Sequence, residues 1–62
     1  MNRKKLGIAL KRVCDQINIF LSSNQFKICV DELATKDIPN AISDKVVDEI
    51  IADYLKAKKA LH

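Results

Sequence analysis

Apolar residues recur along the first third of the chain at the spacing of a single helix face. Leu6, Leu10, Val13, Ile17 and Phe20 are separated by 4, 3, 4 and 3 positions, which holds them on one stripe of a helix. Cys14 and Leu21 widen that stripe on one side and Ala9 on the other. The pattern predicts a helix from about Lys4 to Leu21. Gly7 is a weak point near its start, since glycine in a helix costs up to ~1 kcal/mol against alanine. Ser22 and Gln25 then have the spacing of a capping box, with Leu21 and Phe26 placed as its hydrophobic staple. A second helix follows the turn at Leu21–Ser23 and runs to about Thr35, with Phe26, Cys29, Val30, Leu33 and Ala34 on its apolar face.

Pro39 ends that helix, because Ile38 before it is pushed out of the α region. The third helix starts at Pro39 or Ser43. Ser43 is a good N-cap, and Asp44 follows it in the first turn, where the helix dipole favours negative charge. This helix runs to about Leu61, with Val46, Val47, Ile50, Tyr54 and Leu61 facing inward. Short connections favour antiparallel neighbours, so the expected fold is all-α: a small up-down-up three-helix bundle.

Some apolar residues are surplus to that bundle. Those of helix 3 cover nearly half its circumference, whereas packing on one side needs an arc of about 100°. Ile51 and Leu55 are therefore spare, as are Ile8 and Ile19 on helix 1 and Ile28 on helix 2, which project away from the main seams. Single exposed isoleucines are ordinary, but five in so short a chain point to self-association or a partner interface. The bundle is then completed by a homodimer or by another protein.

Composition narrows the class further. The chain has 62 residues, 48% apolar and 31% charged, which forms one soluble domain. A single Gly and a single Pro leave little turn material for a sandwich or barrel. A chain this short buries only roughly 60% of its unfolded surface, which leaves little room for a walled active-site cleft as well as a core. The apolar stretch Leu6–Leu10 spans five residues before Lys11 and Arg12 interrupt it. A secretory signal needs about 7–15 and a membrane span ~20, so the expected location is the cytoplasm.

The net charge of +3 is unevenly placed. Residues 1–12 carry Arg3, Lys4, Lys5, Lys11 and Arg12 and no acid, and residues 1–5 read either as a disordered basic tail or as the start of helix 1. Asp44, Asp48 and Glu49 lie at the same end of an antiparallel bundle and are placed to neutralise this cluster. Left free, the five cations are a nucleic-acid contact. A headgroup surface is the remaining use of a basic amphipathic helix.

Candidate chemistry is sparse. Val30 to Ala34 followed by Val46-Val47-x-x-Ile50 has a loose helix-turn-helix spacing, but the turn holds Pro39 and is too long. Its recognition helix would also present Asp44, Asp48, Glu49 and Asp53 to flanking phosphates, which repel them. Asp48, Asp53 and Tyr54 share one helix, yet carboxylates at that spacing read as a solvated face, and no enzymatic activity is expected. Cys14 and Cys29 lie at similar heights in the helix 1–2 hairpin and read as buried free thiols. With His62 they have no metal-ligand spacing, and no cofactor or small-molecule substrate is expected.

The sequence thus reads as a regulatory or adaptor protein acting through helix surfaces, with nucleic-acid binding by the basic start as the alternative. On this reading, Ile51→Asp with Leu55→Lys leaves a folded monomer by light scattering. Nucleic-acid binding, in turn, predicts steep salt dependence that vanishes when Lys4 and Lys5 become Glu.

Overall fold

The computed structural model describes the backbone of residues 1–60 and the side chains of residues 1–58. It contains α1 (Arg3–Ile17), α2 (Ser23–Ala34) and α3 (Asp44–Ala60), with no strand among the described residues. The chain is a small all-α three-helix bundle. α1 packs closely along both other helices, while α2 and α3 meet only sparsely. Arg3 reaches Asp31 and Gly7 faces Phe26, so α1 and α2 are antiparallel. Arg12 meets Asp48, and Asn18 and Ile19 lie beside Leu55, so α3 returns to the direction of α1.

Each helix starts where its side chains satisfy free backbone groups. Asn2 accepts the Lys5 N–H at 2.8 Å, so residues 3–5 form the first turn of α1 and not a disordered tail. At α2 the capping box is complete: Ser22 Oγ accepts the Gln25 N–H at 3.2 Å, and Gln25 Oε1 accepts the Ser22 N–H at 3.1 Å. Ser43 caps α3, which settles the choice between Pro39 and Ser43. The N-terminal ammonium of Met1 donates to the Ile38 carbonyl at 2.8 Å and ties the α2–α3 connection to the start of α1. Asp37 has a φ of 56°, a left-handed conformation that Asp tolerates better than most residues. The chain reverses there, and Ile38 behind it is buried.

α1 ends four residues earlier than its apolar pattern predicts. Asn18 is left-handed, with a φ of 57°, and the Asn18 and Ile19 amides both turn back to the Cys14 carbonyl. Asparagine is second only to glycine at this capping position. The stop removes Phe20 from the seam: it is 98% exposed, whereas the pattern placed it in the core. Ile19, expected to project outward, is half-buried against the core.

The rotation of α3 also differs. Its buried row is Val47, Ile51 and Leu55; Ile50 and Tyr54 are half-buried and Val46 is exposed. The expected inward position of Leu61 lies outside the described residues. Ile51 and Leu55 are therefore core, 0% and 3% exposed, and offer no surface for self-association. The broad apolar arc permits two rotations, and Arg12 distinguishes them. Turning Val46 and Ile50 inward would carry Asp48 to the far side of α3, break its pairing with Arg12 and expose two large aliphatic side chains.

Two predictions follow from this packing. Ile51→Asp with Leu55→Lys places unpaired charges in a core with little stability to spare, so the helical circular dichroism signal and its cooperative melt should be lost. A helical monomer would contradict the packing. Gly7→Ala is expected to do the opposite. A Cβ at Gly7 would stand 3.7 Å from Phe26 Cε1, an ordinary contact. The gain in helix propensity should then raise unfolding free energy by up to ~1 kcal/mol in urea titrations.

Candidate functional site

The candidate site follows from how the charges are used. Arg12 lies against α3, where its Nε and Nη2 donate to both carboxylate oxygens of Asp48 at 2.6–3.2 Å. This fork raises the Arg12 pKa still further, against the opposing effect of burial. Arg3 is paired with Asp31 of α2. Lys58 Nζ donates to Glu32 Oε1 at 2.9 Å, and that bond is the main reason the Glu32 carboxyl is held below its ordinary value. Lys4, Lys5, Lys11 and Lys27 are exposed and make no ion pair among the described residues. The expected neutralisation by α3 therefore reaches Arg12, with Asp44 adding to its field, while α2 supplies the partner of Arg3.

Three of the exposed lysines without an ion pair gather at one place, while Lys5, Lys36, Lys45 and Lys56 lie outside it. Lys4, Lys11 and Lys27, with the Arg3–Asp31 pair, border a shallow depression of about 420 Å³ between α1 and α2. Its apolar lining is Gly7, Ile8, Phe26 and Val30. Val30 is buried and Gly7 and Phe26 are half-buried, so they form the floor; Ile8, 59% exposed, stands at its side. A second depression of about 350 Å³ shares Lys11 and Phe26 with the first and continues towards the α1–α2 turn. There it is lined by Cys14, Ile19, Leu21 and the projecting Phe20, with Asp15 as its carboxylate. The two form one trough along the α1–α2 seam.

Sequence reasoning located only part of this surface. It nominated Ile8 together with Arg3, Lys4 and Lys11, and the structure gathers these four. Lys5 is exposed but outside the trough, and Arg12 is committed to α3. Ile28 is 51% exposed but borders a different depression of about 380 Å³ on the α3 side of α2. Ile19 and Leu55 line that same depression, so three of the five surplus aliphatic residues meet there, apart from Ile8 and from the buried Ile51. Phe26, read as core, and Lys27 were missed as surface contributors; their signal was the antiparallel pairing that sets Phe26 beside Gly7 and Lys27 on the same depression.

The remaining chemistry is structural in character. Cys14 and Cys29 are free and buried, and burial, reinforced by Cys29 and Asp15, pushes the Cys14 thiol up. Among the described residues no group of three or more His, Cys, Asp or Glu side chains gathers to hold a metal ion. None of the described helices is long and apolar enough to cross a membrane. The Tyr54 ring has Lys36 Nζ and Lys58 Nζ at 5.6 and 5.8 Å from its centroid, both within cation–π range. Its hydroxyl is buried with no hydrogen-bond partner among the described residues. Burial pushes the phenol well above its ordinary value, and Cys29 and Glu32 act in the same direction. In comparisons with known proteins, no family model, curated protein or solved structure matches the chain.

Tyr54 supplies a test of this environment. A raised phenol pKa means that its stabilising contribution is complete below the unfolded value of 10.0 and is lost as pH rises through the folded value. Unfolding free energy should therefore decline above pH 10.0. Tyr54→Phe should flatten that decline. An unchanged alkaline limb in denaturant titrations would contradict the assignment.

Proposed function

We propose that this chain is a small regulatory or adaptor module that binds another protein through the face shared by α1 and α2. One observation supports this above the others: an apolar trough with Ile8 and Phe26 accessible, bordered by three lysines that make no ion pair among the described residues. Lys4 among them is retained at a cost. The first turn of α1 contains Arg3, Lys4 and Lys5 and no acid, at the helix end where positive charge is least favourable. The two thiols, buried and unbridged, suit a reducing compartment, and we place the protein in the cytoplasm.

Self-association through Ile51 and Leu55 has no place in this reading, since both lie inside the fold. Nucleic-acid binding has one observation in its favour, the exposure of Lys4, Lys5 and Lys11. It is the weaker reading, because two of its five cations are engaged with Asp31 and Asp48 and because phosphates gain nothing from an apolar floor.

The test compares three immobilised forms of the full chain as bait: wild type, Ile8→Asp, and Val46→Asp on the exposed side of α3. A protein partner should be retained by wild type and by Val46→Asp, and lost about tenfold with Ile8→Asp, a change worth roughly 1.4 kcal/mol. Equal retention on all three baits would defeat the proposal. So would submicromolar binding of labelled DNA or RNA that collapses between about 50 and 200 mM salt.

A further inference from the structure

The trough also indicates what kind of protein segment it takes. We infer that its occupant is an acidic amphipathic helix, an apolar stripe flanked by carboxylates, lying along the α1–α2 seam. This inference rests on the binding-module reading above and adds the chemistry of the partner.

Shape comes first. The two depressions adjoin through Lys11 and Phe26 and run beside α1 from Arg3 to the turn beyond Ile17. Over that length a helix advances about 21 Å, so a partner helix of about four turns fits the seam. An apolar groove between two helices is a common receptor for a helix whose anchors recur every three or four residues. Ile8, Phe26 and Leu21 are spread along the trough to meet such a row.

Charge selects among helices. The lysines stand on both walls, Lys4 and Lys11 on α1 and Lys27 on α2, so carboxylates on both flanks of the stripe find partners. Asp15 lies at the Phe20 end, and Asp31 is already engaged by Arg3. The occupant's carboxylates should therefore concentrate towards the end nearer Arg3. α3 of a second copy is a poorer match: beside Val46 and Ile50 it sets Glu49 and Asp53, but Lys45 and Lys56 offset them. A bilayer is also poorly suited, because a flat surface meets the lysines and leaves the floor uncovered.

The experiment titrates the isotope-labelled full chain with synthetic peptides of about four helical turns and follows the backbone amides by nuclear magnetic resonance. One peptide carries a leucine stripe flanked by glutamates. A second has lysine for every glutamate, and a third has the acidic composition with the stripe scrambled. The acidic amphipathic peptide should shift Gly7, Ile8, Lys11, Phe26 and Lys27 saturably and bind at least about tenfold more tightly than either control. Lys4→Glu with Lys27→Glu alters only exposed side chains and should reverse the preference towards the lysine peptide.

No saturable shift, equal binding of the three peptides, or shifts centred on α3 would overturn the inference. It would equally fall if duplex DNA or phosphatidylcholine vesicles containing phosphatidylserine shifted the same amides at lower concentration. A molar mass that rises with protein concentration and depends on Lys4 and Lys27 would assign the trough to a second copy. If the acidic peptide fails while partner capture still depends on Ile8, the partner chemistry is wrong and the binding module stands. If capture ignores Ile8, both readings fall.

Discussion

Burial of α1 from two sides is the constraint on which the rest of this structure depends. Leu6, Leu10 and Val13 are almost completely excluded from water, and they lie on the one helix that packs closely against both others. α2 and α3 have little of each other to bury, so neither contributes much to the fold without α1. A chain of this length buries roughly 60% of its unfolded surface and has few aliphatic contacts in reserve. That makes the geometry of α1 decisive at both ends. Asn2 and the Met1–Ile38 bond fix where the helix enters the core, and left-handed Asn18 fixes where it leaves.

The same geometry sorts the charges. Arg12 follows Leu10 on the flank facing α3 and meets Asp48, while Arg3 is on the flank facing α2 and meets Asp31. Asp31 of α2 and Asp48 of α3 are thereby drawn against α1, and Lys58 of α3 takes up Glu32 of α2. Lys4, Lys11 and Lys27 are left around the α1–α2 trough with no ion pair among the described residues. Surface ion pairs contribute little to stability, so the larger effect of Arg3–Asp31 and Lys58–Glu32 is on where free positive charge remains.

Much of this is legible in the sequence, and the limits have physical causes. The Ser22–Gln25 capping box and the Ser43 cap are local hydrogen bonds between residues three apart, which a sequence displays directly. The faces of α1 and α2 are narrow stripes, so periodicity alone locates them. α3 is different: its apolar arc admits two rotations, and the choice depends on a bond across 36 residues, between Arg12 and Asp48. Phe20 was misplaced because apolar spacing continues through Asn18, and a backbone reversal outranks the pattern. Ile38 was missed because a connection is not expected to supply core. The trough itself was only half visible, since Lys27 and Phe26 join Ile8 through antiparallel pairing and not through any local motif.

Gly7 joins the stability of this bundle to its surface. Its place in the first turns of α1 weakens the helix, and the space beside it admits a methyl group against Phe26 without a clash. Packing alone therefore gives no reason for the glycine. The trough gives one: Gly7 is part of its floor, and without a Cβ the seam between Ile8 and Phe26 is wider and the Phe26 ring more accessible. A small domain has few ways to present apolar surface without losing its core. Here the accessible area lies over a helix that the core already secures from the opposite side, at a position where the cost is one residue's helix propensity. The destabilised turn, the unpaired lysines and the accessible ring coincide at one place, and each is unfavourable in the isolated chain. Such local departures from the best choice for folding are what a binding face requires, and their coincidence is the physical argument for placing function there.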